Sequence, residues 1–172
     1  MTMETKQVWV GIVMGSDSDK AIALAAGETL AALGIPYETR VLSAHRTPEQ
    51  AVEYVCSAEG RGLKVIIGIA GMAAHLSGVL ASHTLLPVLG VPADGGLLGG
   101  LDALLSTVQM PPGVPVGTLA VGKAGGRNAA HLAARIIALG EPALRAVLEE
   151  TREDMKRRVL QSDKDIQEMG RS

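Results

Sequence analysis

Val8-Trp9-Val10-Gly11-Ile12-Val13-Met14 is an unbroken apolar run of strand length, and Gly15-Ser16-Asp17-Ser18-Asp19 ends it. A strand with one wet face alternates apolar and polar residues. A continuous run fits a strand buried on both faces, as in a parallel sheet covered by helices on each side. The following residues agree: Ile22, Ala25, Ala26, Thr29, Leu30 and Leu33 share one helical face, and Gly34 closes that helix. The pattern then repeats. Strands are expected over 37–42, 64–69, 87–91 and 116–121, and helices over 48–59, 73–82, 101–108 and 122–139. Gln109-Met110-Pro111-Pro112-Gly113-Val114-Pro115 cannot be regular structure. Strands alternating with helices predict an α/β fold, a three-layer, doubly wound parallel sheet of about five strands with flavodoxin-like shape.

No internal repeat or low-complexity linker divides residues 1–140, which are expected to form one α/β domain. Residues 141–172 differ: Leu144, Leu148, Met155, Val159 and Ile166 mark an apolar stripe among many charges. Such a stripe is longer than a small sheet can cover. This extension is therefore expected to be a long C-terminal helix that packs partly on a neighbouring subunit. The other reading of its last two turns is a frayed, solvated helix end.

Composition narrows the function. The chain has 172 residues, of which 47% are hydrophobic and 20% charged, so a globular domain with a sizeable core is expected. Aromatic residues are only 2%, which argues against flavin stacking and single-stranded nucleic-acid binding. A net charge of −2 with no basic block argues against any nucleic-acid partner. The single cysteine, Cys56, allows no internal disulfide and is expected to be a small core residue of the second helix. Lys6 and Gln7 precede only a short apolar run, so no signal peptide, no membrane span and a cytoplasmic location are expected.

In an open α/β sheet, ligands bind beyond the carboxyl ends of the strands. Three polar loops should meet there. Ser43-Ala44-His45-Arg46-Thr47-Pro48-Glu49-Gln50 sets a hydroxyl, an imidazole and a guanidinium side by side before a helix. Thr47 can be its N-cap, Pro48 its first residue, and Gln50 can complete a capping box. An imidazole beside a helix N-terminus suits general acid–base work; a polar loop that happens to hold a histidine is the bland alternative. The segment 15–19 offers hydroxyls and free N–H groups for a phosphate, or for sugar hydroxyls, or simply an N-cap. The segment 71–78 offers His75 among small apolar residues, as a pocket group or as a core or interface histidine. His83 and His131 have no partner by spacing. There is no phosphate-binding G-x-x-x-x-G-K-[ST] loop and no clustered Cys/His set, so neither ATP use nor a metal site is expected. A response-regulator-like switch would use Asp17, Asp19 and Lys123, but the third strand ends in Ile69-Ala70-Gly71 and supplies no phosphorylatable aspartate.

Met14-Gly15-Ser16-Asp17-Ser18-Asp19, Ser43-Ala44-His45-Arg46-Thr47-Pro48, Ala70-Gly71-Met72-Ala73-Ala74-His75-Leu76 and Val108-Gln109-Met110-Pro111-Pro112-Gly113 together resemble the phosphoribosylaminoimidazole carboxylase (PurE) family. The likeness runs from about Val8 to Leu139 and is closest to the N5-carboxyaminoimidazole ribonucleotide mutase branch. It implies a purine-biosynthetic isomerase that moves a carboxyl group from N5 to C4 of a ribonucleotide by decarboxylation and recarboxylation. It also implies no cofactor, a small ribonucleotide substrate and a homo-octamer. Carried over, His45 would be the general acid/base. Arg46, Ser16 and Ser18 would hold the 5′-phosphate, and Asp19 would contact the ribose. Ser43, Gly71, His75 and Leu76 would line the aminoimidazole and CO2 pocket. The mutase branch typically reads Gly-Gly-Ala-Ala-His-Leu-Pro-Gly where this chain has Met72 and Ser77 at the second and seventh positions. A direct CO2-dependent carboxylase on the same fold and a non-catalytic flavodoxin-like nucleotide-binding module are the alternatives.

Overall fold

The structure is a computed structural model and describes residues 7–170. The ends of the two expected units, residues 1–6 with Lys6 among them and residues 171–172, lie outside the described residues. Strands β1 (Val10–Met14), β2 (Tyr37–Val41), β3 (Val65–Ala70), β4 (Val88–Pro92) and β5 (Gly117–Thr118) form one parallel sheet in the order β2-β1-β3-β4-β5. That is the doubly wound order in which the chain reverses direction across the sheet between β1 and β3.

The continuous apolar runs have the expected cause. β1, β3 and β4 are buried along their whole length. Alternate residues serve opposite faces. Val10, Ile12 and Met14 of β1, with Val65, Ile67 and Ile69 of β3, join α1 (Lys20–Ala32) and α5 (Gly122–Ile137) in one core. Val13 and Ile66 join α2 (Pro48–Ala58), α3 (Leu76–Ala81) and α4 (Leu101–Val108) in the other. Small residues bring α1 and α5 together: a Cβ on Gly126 would stand 2.7 Å from the Ile22 carbonyl oxygen. Part of the Ala/Gly richness thus serves helix packing within the chain.

Four expectations need correction. The fifth strand pairs over only Gly117–Thr118, because the chain leaves the edge of the sheet at Ala120, where the backbone of α5 at Gly125 presses against the Ala120 carbonyl. The third helix begins at Leu76, not at 73. Met72 adopts a left-handed backbone (φ 54°), and tight bonds from Ala74 N–H to Met72 O and His75 N–H to Ala73 O hold 71–75 outside the helix. Cys56 is exposed, since the buried stripe of α2 is Ala51, Tyr54, Val55 and Ala58, and Cys56 lies off it. The Thr47 capping box is also absent, as described below.

The C-terminal helix α6 (Pro142–Met169) is as long as expected. Lys64 ties its start to the sheet by pairing with Glu141 at 2.6 Å while lying 4.3 Å over the Trp9 ring. Only Leu144 of α6 is buried and Leu148 packs against the core, whereas Val159 and Ile166 are 69% and 67% exposed. Among the described residues, no helix is long and apolar enough to cross a membrane.

Candidate active site

The loops after β1, β2, β3 and β4 and the first turn of α5 enclose a cleft of about 810 Å³. Every residue assigned by the sequence lines it: Ser16, Ser18, Asp19, Ser43, His45, Arg46, Gly71, His75 and Leu76.

β1 ends at Met14, and the chain turns at once into a single 3-10 turn, Asp17–Asp19. Ser16 caps it, its Oγ accepting the Ser18 N–H at 3.3 Å. This turn leads straight into α1 and leaves Asp19 only 8% exposed. Burial raises the Asp19 pKa above the usual carboxylate range. Hydrogen bonds from Ser18 and the Ser16 backbone oppose that rise, and the nearby charges of Asp17 and Asp94 add to it.

The β2 loop is organised around Ser43 rather than around the helix N-terminus. Thr47 makes no side-chain cap. Its Oγ1 turns back, accepts the Ser43 N–H at 2.8 Å and donates to the Ser43 carbonyl at 3.2 Å. The Thr47 N–H also donates to that carbonyl, at 2.9 Å. Ser43 Oγ in turn receives His45 N–H at 3.3 Å, Arg46 N–H at 3.2 Å and Arg46 Nε at 3.5 Å. Pro48 occupies the first helical position as expected.

Two contacts weld the loops together. Arg46 donates from Nη2 to the Gly15 carbonyl at 3.1 Å, joining the β2 loop to the β1 loop. His45 Nε2 meets His75 Nδ1 at 2.8 Å, with the rings nearly perpendicular at 84°, joining the β2 loop to the β3 loop. His83 sits apart in the surface turn after α3, bonded to Ser82 and the Val79 carbonyl. His131 lies on α5, its pKa lowered by burial and by Arg135.

The sequence alone does not assign Asp94, Gly95, Gly96 or Lys123, which line the same cleft. A signal exists for each. The glycine-rich segment follows the fourth strand, and Lys123 stands at the start of the helix after the fifth, so the carboxyl-end rule applies to both. Met72 and Ser77, the two departures from the mutase-branch pattern, have different settings. Met72 lies on the rim, 67% exposed, with the left-handed φ that glycine adopts freely. Ser77 is buried, its Oγ donating to the Gly68 carbonyl at 3.1 Å.

The cleft therefore gathers two cations, Arg46 and Lys123, two carboxylates, Asp19 and Asp94, the hydroxyls of Ser16, Ser18 and Ser43, the His45–His75 pair, and apolar groups including Ala70, Gly71, Ala73 and Leu76. Those parts can hold an anion, exchange a proton and enclose a small neutral molecule.

Residues 9–158 match the family model described as AIR carboxylase. The chain is 49% identical over 170 residues, covering 99% of it and 95% of the relative, to the N5-carboxyaminoimidazole ribonucleotide mutase of Pyrococcus horikoshii. It is 52% identical over 151 residues, covering 88% of it and 93% of the relative, to the mutase of the same name from Pseudomonas aeruginosa. The crystal structure of Treponema denticola PurE superposes with a TM-score of 0.83 at 29% identity, covering 91% of this chain and 97% of that one. The chain belongs to the AIR carboxylase family.

Proposed function

We propose that this chain is an N5-carboxyaminoimidazole ribonucleotide mutase of purine biosynthesis. The observation that carries the reading is the His45–His75 contact at 2.8 Å, with Arg46 anchored to the Gly15 carbonyl in the same cleft. The names of its half-identical relatives support the same chemistry.

In this reading His45 gives a proton to N5 as the N5–carboxyl bond breaks, leaving aminoimidazole ribonucleotide and CO2. C4 of the ring then attacks the CO2 carbon. The proton displaced from C4 returns to His45, which restores the starting state. One group serves both steps because each reverses the proton demand of the other. Arg46, Ser16 and Ser18 hold the 5′-phosphate, Asp19 the ribose, and Ser43, Gly71, His75 and Leu76 surround the ring and CO2. Neutral CO2 offers little to bind, so the apolar wall must retain it by excluding water.

The exposed apolar stripe of α6 supports packing of residues 141–172 on another subunit of a homo-octamer, acting in the cytoplasm. Sedimentation of the purified chain tests the assembly.

The activity test uses purified protein without ATP. One assay supplies the N5-carboxylated ribonucleotide, the other aminoimidazole ribonucleotide with bicarbonate. Turnover of the first substrate alone is expected. Efficient use of the second instead assigns a direct carboxylase, and turnover of neither leaves only a binding module.

A further inference from the structure

We propose that Thr47 is a positioning residue for the reaction, acting through Ser43 on His45 and Arg46. The inference rests on the reading of His45 as proton carrier.

The geometry runs from one hydroxyl to two functional side chains. Thr47 Oγ1 takes the Ser43 N–H at 2.8 Å and gives its own proton to the Ser43 carbonyl at 3.2 Å. Both backbone groups of Ser43 are thereby fixed by one side chain. A threonine at this position has a ready alternative, the exposed N–H groups of the α2 N-terminus, and it makes no such cap. The hydroxyl is committed to the loop at the expense of the helix.

Ser43 then acts as the hub. Its Oγ faces three N–H donors, one from His45 and two from Arg46. A hydroxyl oxygen has two lone pairs and one proton. With its accepting side occupied, the Ser43 proton is what remains to offer a ligand in the cleft it lines. His45 and Arg46 each make one further long-range contact, to His75 and to Gly15. Those two contacts require the loop to hold its shape to within a few tenths of an ångström, since hydrogen bonds weaken quickly with misalignment. Thr47 supplies that shape without itself lining the cleft.

A merely structural threonine would lose stability on substitution and nothing else. The test therefore pairs kinetics with the histidine rings. Thr47→Val keeps the shape and loses the hydroxyl, and Thr47→Ser keeps the hydroxyl and loses the methyl. For Thr47→Val, kcat/KM is expected to fall about 10- to 100-fold, as for a misplaced catalytic group. Thr47→Ser should stay within about threefold of the parent. In 15N-imidazole NMR of the ligand-free chain, assigned with His45→Asn and His75→Asn, Thr47→Val should lose the ring-to-ring hydrogen-bond pattern that Thr47→Ser retains. Circular dichroism confirms that each variant is folded, and Thr47→Ala replaces Thr47→Val if the latter does not fold. Unchanged kcat/KM in the hydroxyl-free variant, unchanged histidine signals in it, or equal damage in Thr47→Ser would each overturn the proposal. If the parent chain itself shows no turnover, the mutase reading fails, and the histidine spectra still decide the role of Thr47.

Discussion

His45 and His75 meet nitrogen to nitrogen, Nε2 to Nδ1 at 2.8 Å, across two loops that are thirty residues apart in sequence. One ring must donate and the other accept, so the bond holds only while at least one of the facing nitrogens is without a proton. In the proposed mechanism, the imidazole that carries the proton is thus already positioned by a second imidazole. If His45 carries the proton as proposed, His45→Asn is expected to lower kcat about 10²- to 10⁴-fold with ligand binding retained. Replacing His75 with Asn leaves the carrier but removes its partner, and a smaller loss, about 10-fold in kcat, is expected. Steady-state kinetics with calorimetric binding of substrate distinguish the two. Equal losses in both variants would mean that His75 itself carries a proton.

Arg46 is held by the Gly15 carbonyl through Nη2 and faces Ser43 Oγ through Nε. The guanidinium is therefore held in place before any ligand arrives. Arg46→Ala should raise KM by the equivalent of about 1.5–3 kcal/mol, the worth of a hydrogen bond to a charged group. kcat should change little. Arg46→Lys keeps the charge without the planar fork and should fall between the two. A KM unaltered by Arg46→Ala would move the phosphate away from this end of the cleft.

Asp19 carries a pH signature that can be worked out. Its folded-state pKa is raised, chiefly by burial. Between the unfolded and folded pKa values the native state therefore binds more protons than the unfolded state. Its contribution to stability falls as pH rises through that window and is fully lost above the folded value. Asp19→Asn should make the chain more stable than the parent at neutral pH, with the difference vanishing in acid below the usual carboxylate range. Substrate affinity should fall in the same variant if Asp19 contacts the ribose. Urea melts at a series of pH values check the first point and calorimetry the second.

Met72 is strained and exposed at once. A left-handed backbone costs a residue with a Cβ about 1–2 kcal/mol, while glycine loses about 0.4–1 kcal/mol more chain entropy on folding. With its side chain largely in solvent, little burial is lost on removal. Met72→Gly is accordingly expected to raise Tm by about 2–4 °C, corresponding to about 1 kcal/mol. Met72→Ala keeps the strain and should change stability by less than about 0.5 kcal/mol. Thermal unfolding of both variants separates backbone strain from any role of the thioether.

How much of this was legible in the residues follows a physical line. The runs 8–14 and 64–69 announce a doubly covered sheet, because burial on both faces erases alternation. The three site loops follow from strand ends and from motifs quoted residue by residue. Less visible are features set by competition between partners. Thr47 has two uses for one hydroxyl, and only the folded loop decides between the α2 N-terminus and Ser43. The left-handed turn at Met72 carries no glycine at that position to announce it, so the residues predict the helix three positions too early. Asp94 and Lys123 reach the cleft only because β4 and β5 extend the same edge beyond β3. Cys56 is different: the core placement expected for it is wrong, although its position off the stripe of Ala51, Tyr54, Val55 and Ala58 already points outward.

Ser77 shows how closely the wall behind the site is packed. Gly68 of β3 and Gly90 of β4 stand opposite each other in register, and Ser77 sits over both. A Cβ on Gly68 would lie 2.6 Å from Ser77 Oγ, 3.2 Å from Ser77 Cα and 3.3 Å from Ser77 Cβ. Gly68→Ala must push α3 outward or turn the Ser77 hydroxyl away from the Gly68 carbonyl. A cost of about 1–3 kcal/mol is expected, as for other overpacked cores. Ser77→Ala alone should cost about 1 kcal/mol for the lost hydrogen bond. The double variant removes the worst clash together with the hydroxyl, so it should be more stable than the two single losses added together predict, by about 1 kcal/mol. Because α3 begins one residue after His75, outward movement should also disturb the His45 contact. Gly68→Ala should then lower kcat as well as Tm, and the double variant should recover both. Urea unfolding and kcat measured on the three variants form the cycle. Simple additivity would show that the two residues do not share the notch.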